Sequence, residues 1–235
     1  MKALILAAGL GSRLAPITDS IPKSLVPVNG KPILIKQIEN LLENHVEDIT
    51  IVSGYKAKIL EKAVSEKYPK INIIENSDYA TTNNMYSAYL GLKSIGLTDD
   101  FLMMNADVFF DSSVLKSLLL FESKDAIVVD IGRYLEESMK VVESDGKLIK
   151  ISKQILANEA LGSSIDVYKF SQKAGTAFYK KCEEYIKNGE LKKWSEVAIN
   201  DILSSQNFKA CPLNGRWFEI DNHEDLRIAE NLFKG

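Results

Sequence analysis

The chain has 235 residues, 46% of them apolar and 26% charged, with a formal net charge of −3. This length accommodates one full hydrophobic core and would be tight for two, while the near-balanced charge excludes a nucleic-acid footprint or a polybasic arm for a membrane, so any anion must be gripped locally. Cys182 and Cys211 are too few for a disulfide framework or zinc knuckle, no apolar run approaches the roughly 18 residues that span a bilayer, and no basic n-region with an apolar h-region opens the chain, so a cytoplasmic protein is expected.

In chain order, Lys2 to Ala7 reads as a buried strand, Pro32 to Asn44 as an amphipathic helix, Ile49 to Ser53 as a strand and Lys56 to Tyr68 as a helix. Ile71 to Glu75 is a strand, Asn84 to Ile95 a helix and Phe101 to Ala106 a strand. This βαβ rhythm predicts a mainly parallel sheet covered on both faces, a three-layer α/β/α arrangement. The rhythm then changes. Ala126 to Gly132, Lys140 to Glu143 and Lys147 to Ser152 are short strands, the last two joined by the hairpin turn Ser144-Asp145-Gly146, so a small antiparallel addition to a mixed sheet is expected. Ser163 to Phe170 is a strand, Ser171 to Lys187 and Trp194 to Ser204 are helices, Arg216 to Ile220 is a strand and His223 to Phe233 a closing helix. No repeat or linker interrupts the pattern, and a single domain over residues 1–235 is expected.

The segment behind the first strand carries Gly9, Gly11, Arg13 and Lys23, stiffened by Pro16, Pro22, Pro27 and Pro32. Glycines let a backbone approach a ligand or take positive φ, successive free N–H groups form an anion nest, and arginine adds a forked cation. A triphosphate suits such a cradle. The P-loop pattern is absent, and Leu14 stands where a dinucleotide fingerprint has its third glycine. Without further support, Gly9-Leu10-Gly11 is equally a bare tight turn and Lys23 a solvated lysine.

The combined pattern AAGLGSRL followed by PKSLVPVNGKP opening a helix resembles the signature of the nucleoside triphosphate transferases that make nucleotide sugars and CDP-alcohols. The stretch NSDYATTNNMYS, Asn76 to Ser87, and the ending Trp217 to Asp221 look most like the bacterial CTP:phosphocholine cytidylyltransferase branch. The resemblance implies a Rossmann-like fold, with residues 1–110 as a nucleotide half and 111–235 as an acceptor half. The implied reaction is attack of an acceptor phosphate oxygen on the α-phosphorus of an NTP, CTP first, with Mg²⁺ and release of pyrophosphate. It further implies nucleotide contacts from Leu6, Ala7, Ala8, Gly9, Gly11, Ser12, Arg13, Lys23, Asn83 and Asn84, and catalytic roles for Lys23, Arg13 and Asp107. Asn83 or Asn84 is also a ready helix cap.

Asp107 and Asp221 each end an apolar strand, and both match the family's metal aspartates; Mg²⁺ takes one or two carboxylates plus substrate phosphates. Asp221 has a competing role as the cap or first-turn acid of the closing helix. No catalytic base is required, because a phosphomonoester with a second pKa of about 6 is already anionic, which suits a chain whose two histidines, His45 and His223, look peripheral. On the acceptor side the resemblance implies Lys140, Lys153, Asp166, Tyr168, Trp194 and Glu219. The lysines equally suit a solvated basic hairpin. Tyr86, Tyr168, Trp194 and Trp217 are candidates to cage a quaternary ammonium with Glu219 as countercharge, or are core aromatics. Where relatives often show Gly-Glu-x-x-Gly, this chain has Gly162-Ser163-Ser164-Ile165-Asp166, which leaves the acceptor open among phosphocholine, a sugar phosphate, a polyol phosphate and a phosphonate.

A metal-dependent glycosyltransferase would want Asp-x-Asp where Asn105-Ala106-Asp107 stands. A silent nucleotide sensor would not need Arg13, Lys23, Asp107 and Asp221 together. The expectation is therefore a monomeric or homodimeric nucleotidyltransferase serving cell-surface polymer synthesis, with an NTP and a small phosphorylated acceptor as partners and neither nucleic acid nor membrane.

Overall fold

A computed structural model of the protein describes residues 1–134 and 137–234. β1 (Lys2–Ala7) leads through a short ribbon, β2 (Pro27–Val28) and β3 (Lys31–Pro32), into α1 (Ile33–Glu43), β4 (Asp48–Ser53), α2 (Ala57–Ser65), β5 (Asn72–Glu75), α3 (Asn84–Ile95) and β6 (Phe101–Asn105). Then come β7 (Val108–Phe110), α4 (Ser112–Leu120), β8 (Ala126–Ile131), β9 (Lys140–Ser144), β10 (Lys147–Ser152) and β11 (Gly162–Phe170). The chain closes with α5 (Gln172–Lys187), α6 (Ser195–Ile202), β12 (Lys209–Pro212), β13 (Trp217–Glu219) and α7 (His223–Leu232).

β1 is central, parallel to β4 on one side and β6 on the other, with β5 parallel beyond β4. Beyond β6 the sheet turns antiparallel through β11, which also pairs with β8 and β9; β10 lies antiparallel to β9, and β12 is parallel to β8. The mixed, mainly parallel sheet with an antiparallel extension is the one expected. Its continuous apolar strands feed two cores. Ala3, Ile5, Leu102 and Met104 face α1, α2 and α4, whereas Leu4, Leu6, Phe101 and Met103 face α3, α5 and α6. Side chains alternate across a strand, so an unbroken apolar run can serve only a sheet covered on both faces. The β9–β10 turn places Asp145 at φ 53 and Gly146 at φ 73, the positive pair that a two-residue hairpin turn needs.

The segment between β6 and β8 differs from the expectation. The sequence pattern assigns no element there, yet it holds β7 and α4. β7 is only three residues long and pairs not with the large sheet but with β13, far along the chain. Local periodicity cannot report such a partner. β12, parallel to the distant β8, escaped for the same reason, whereas β2 and β3 pair locally across Asn29-Gly30 and, at two residues each, are too short to show an alternation. A third core, built from Leu14, Val26, Val28, Ile33, Phe109, Ile220 and Ala229, packs the proline-rich loop against β7 and α7. No described helix is long and apolar enough to cross a membrane.

Candidate active site

The chain leaves β1 at its carboxyl edge into the glycine loop, where ligands of parallel sheets sit. Nothing within 4 Å would meet a Cβ on Gly9, which lines a cavity of about 250 Å³. Gly11 is different. It sits at φ 64, its carbonyl accepts a hydrogen bond from Thr18 Oγ1 at 3.0 Å, and an added Cβ would lie 2.6 Å from Cβ of Lys23. Left-handed backbone and close approach thus coincide at one position, and its glycine lets the loop lie against the catalytic lysine candidate. Gly11→Ala should cost about 1–2 kcal/mol for the backbone alone, and displacement of Lys23 should cut turnover further. Thermal melts and pyrophosphate release check this; unchanged values for both would remove the close approach from the account.

Lys23 begins a single 3-10 turn after Pro22, with the Leu25 N–H donating to the Pro22 carbonyl at 2.8 Å. Leu25 packs into the core, so the turn cannot swing freely. Its ammonium donates to Asp107 Oδ2 at 2.9 Å and to Asp221 Oδ1 at 2.5 Å. Burial by itself would lower the Lys23 pKa, but the two carboxylates outweigh it and hold the ammonium above the usual lysine value. Arg13, which is exposed, reaches Asp221 Oδ2 at 2.8 Å from the other side. Burial pushes the Asp221 carboxyl up, but Lys23 and Arg13 outweigh it and hold it below the usual range.

Two acids so distant in sequence meet because β13 pairs antiparallel with β7, in a register that sets Glu219 opposite Val108. The Ile220 N–H then donates to the Asp107 carbonyl at 2.9 Å. Asp107, Glu219 and Asp221 each offer an oxygen, all within 4.8 Å of one another. Asp107 Oδ1 is buried and has no hydrogen-bond partner among the described residues. An orphaned carboxylate oxygen in an all-oxygen set is what a hard divalent cation needs, so these residues fit Mg²⁺. Burial and the three neighbouring carboxylates Asp107, Asp166 and Asp221 raise the Glu219 pKa against the pull of Lys23. The competing role for Asp221 is not the observed one: Asn222 caps α7 in a capping box with Asp225, leaving the Asp221 side chain for Lys23 and Arg13.

Leu6, Ala8, Arg13, Asn83 and Asn84 join Gly9 in the cavity wall, as do Asp107, Glu219 and Asp221. Ala7 and Lys23 line a small recess beside it that shares Asp107. Gly11 and Ser12 line neither. Asn83 caps α3 by accepting from the Asn84 N–H at 2.8 Å, and Asn84 Oδ1 accepts from the Ser195 N–H at 2.8 Å, so both asparagines are structural as well as cavity-facing.

From the acceptor set, Lys153, Asp166, Trp194 and Glu219 line the same cavity, Glu219 grouped there with Asp107 and Asp221, and the Lys153 ammonium lies 5.0 Å from the centre of the Trp194 ring. Asp166 stands at φ 58 where the register of β11 against β8 shifts, a bulge that turns it toward the site. Lys140 and Tyr168 do not line the cavity. Lys140 is buried on β9, and Tyr168 lies wholly beneath the site, its hydroxyl bridging Asp166 Oδ1 at 2.8 Å and Glu196 Oε1 at 3.0 Å. Trp217 is core, its indole N–H donating to Asp130 at 2.8 Å, and Tyr86 is not in the wall, so Trp194 is the candidate cage aromatic that faces the cavity. Glu196 and Tyr79 are wall residues that the sequence did not single out. An acid in the first turn of a helix normally answers the helix dipole, so nothing local marks Glu196; its burial to 2% exposure does.

Comparison with known proteins agrees with this architecture. The nucleotidyl transferase family model matches residues 2–151. The bifunctional protein GlmU of Methanococcus maripaludis is 33% identical over 242 residues, covering 99% of this chain but 54% of that protein, so the chain spans about half the length of such relatives. The CTP:phosphoglutamine cytidylyltransferase of Campylobacter jejuni is 29% identical over 250 residues, with 97% and 98% of the two chains covered. The solved CTP:phosphocholine cytidylyltransferase of Streptococcus pneumoniae, LicC, superposes with a TM-score of 0.83 at 27% identity over 99% of each chain. Because the family match runs through more than half of the sequence and takes in β1, the glycine loop, Lys23 and Asp107, the chain belongs to the nucleotidyl transferase family.

Proposed function

We propose that the chain is a magnesium-dependent cytidylyltransferase that joins CTP to a small phosphorylated alcohol and releases pyrophosphate. The observation that carries this reading is the Lys23 ammonium held between Asp107 and Asp221 at the exit of β1, beside the cavity. CTP is favoured by the likeness, along nearly whole chains, to two enzymes whose names specify it.

Asp107, Asp221 and Glu219 would hold the metal, which when bound supplies positive charge to the triphosphate oxygens. The acceptor phosphate oxygen forms a bond to the α-phosphorus while the bond to the β-phosphate oxygen breaks, and its electron pair leaves with pyrophosphate. No proton needs to be removed from the nucleophile. Arg13 and the N–H groups around Gly9 orient the triphosphate, and Lys23 turns from its carboxylates to the α-phosphate, where charge accumulates. Lys153, in the cavity wall, would take the acceptor phosphate. Asp166 and Glu196 contact only hydroxyls and an amide among the described residues, Tyr168, Ser164, Ser195 and Asn105, with no lysine or arginine paired to either. Two acids lacking a cation, Glu196 buried and Asp166 in the cavity wall, favour an acceptor whose far end is positively charged. Residues 1–110 then supply the nucleotide side and 111–235 the acceptor side of one domain working in the cytoplasm, where CTP is made.

Pyrophosphate release across four NTPs and a panel of phosphocholine, phosphoethanolamine, glycerol 3-phosphate and a sugar 1-phosphate tests the assignment. CTP with a cationic acceptor should turn over fastest. A sugar 1-phosphate with another NTP in first place would replace this acceptor assignment, and no turnover at all with Mg²⁺ would favour a nucleotide sensor. Asp166→Asn should raise the acceptor KM by about tenfold or more, the worth of a hydrogen bond to a charged group, while the KM for CTP stays put. Steady-state kinetics with each substrate varied in turn read both values, and equal effects on the two would take Asp166 off the acceptor.

A further inference from the structure

We propose that Gln37, a fully buried residue of α1, is a positioning residue for Asp107. Its amide nitrogen donates to the carbonyl of Asn105 at 2.9 Å and to that of Val108 at 2.8 Å. Those carbonyls flank the tight turn that carries Asp107 from β6 to β7. Ala106 still donates to the Leu6 carbonyl of β1, at 2.9 Å, and the Ile220 N–H takes the carbonyl of Asp107 itself at 2.9 Å. The backbone around the acid is therefore clamped from three directions, and Gln37 supplies both bonds from the helix side.

The clamp has a cost, which Asn40 shares through its own buried Oδ1, partnerless among the described residues. Gln37 Oε1 is buried without a partner among the described residues, an expense that an apolar side chain of the same volume would avoid. Such a side chain would in turn leave the two carbonyls flanking Asp107 without donors. The neighbouring turn of α1 provides an internal control. Asn40 donates in the same way to the carbonyl of Phe110 at 2.8 Å, and Asn44 reaches Ser112, so one helix face straps the whole β7 segment. Of these three side chains, only Gln37 grips the part next to the metal acid. Groups that orient metal ligands from behind typically govern affinity and activity without touching the reacting atoms.

The inference rests on Asp107 being a metal carboxylate. Gln37→Met, close in volume and unable to donate, is compared with Asn40→Leu by thermal melts, by the Mg²⁺ dependence of pyrophosphate release, and by Mn²⁺ binding to the protein–CTP complex followed by electron paramagnetic resonance. Both variants should melt earlier. Gln37→Met alone should weaken Mg²⁺ half-saturation and Mn²⁺ binding by about tenfold or more, the scale seen when an outer partner of a metal ligand is lost. If it does not stay folded, Gln37→Asn, which keeps the amide but pulls it back by one methylene, should show the same shift at smaller size. Metal terms unchanged in a folded Gln37 variant, or moved equally by Asn40→Leu, would reduce Gln37 to a packing residue. Asp107→Asn measured alongside separates the two failures: Mn²⁺ binding unaffected by that change would remove the metal assignment of Asp107 itself.

Discussion

Asp107→Asn is expected to lower pyrophosphate release by about a thousandfold or more while the protein melts within a few degrees of the wild type. The substitution keeps the shape of the side chain and removes one full charge from the oxygen set it forms with Glu219 and Asp221. The buried, partnerless Oδ1 would lose the charge that suits it to a cation. Stability should change little, since Lys23 keeps its bond to Asp221 and the turn is held through backbone carbonyls, not through the carboxylate. Single-turnover assays with saturating Mg²⁺ and CTP, paired with thermal melts, read both halves of the prediction. Full activity in a folded Asp107→Asn protein would take Asp107 out of the mechanism.

Lys23→Met should be the second severe change, and in two separable ways. Turnover should fall by about a hundredfold to a thousandfold, because a cation that turns to the reacting phosphate, as proposed for Lys23, acts mainly on the transition state. Stability should also fall. Asp107 and Asp221 would face each other without the ammonium that now bridges them, and their side chains keep 26% and 21% exposure. Removing one partner of a fully buried pair costs about 3–5 kcal/mol, and water at these half-open acids should trim that to about 1–3 kcal/mol. Mg²⁺ without nucleotide should then raise the melting temperature of the variant more than that of the wild type, since a cation that binds only the folded form stabilises it by mass action. Equal Mg²⁺ shifts in both proteins would show that the lysine is not the resident countercharge of the acids.

Much of this was legible in the sequence because it is local. Alternation of apolar runs with amphipathic segments predicts a sheet covered on both faces, and both the α3 boundaries and the β9–β10 turn lie where cap and turn residues put them. The glycine loop and Asp107 stand at strand ends, where topology places ligands, and Lys23 follows in the proline-pinned segment behind β1. Asp221 was ambiguous on local grounds, since an acid before a helix is usually a cap; Asn222 holds that role instead.

By itself, then, the sequence determined the α/β architecture, the family and the loop that begins the site, because periodicity, glycine and proline act through their nearest neighbours in the chain. The tertiary structure decided which distant groups share that site. Pairing of β7 with β13 brings Glu219 and Asp221 to Asp107, a helix face sets Gln37 behind the acid, and the covering of β11 buries Tyr168 while a bulge turns Asp166 toward the cavity. Those outcomes depend on long-range strand register and on which face of each element is covered, and neither leaves a pattern in consecutive residues.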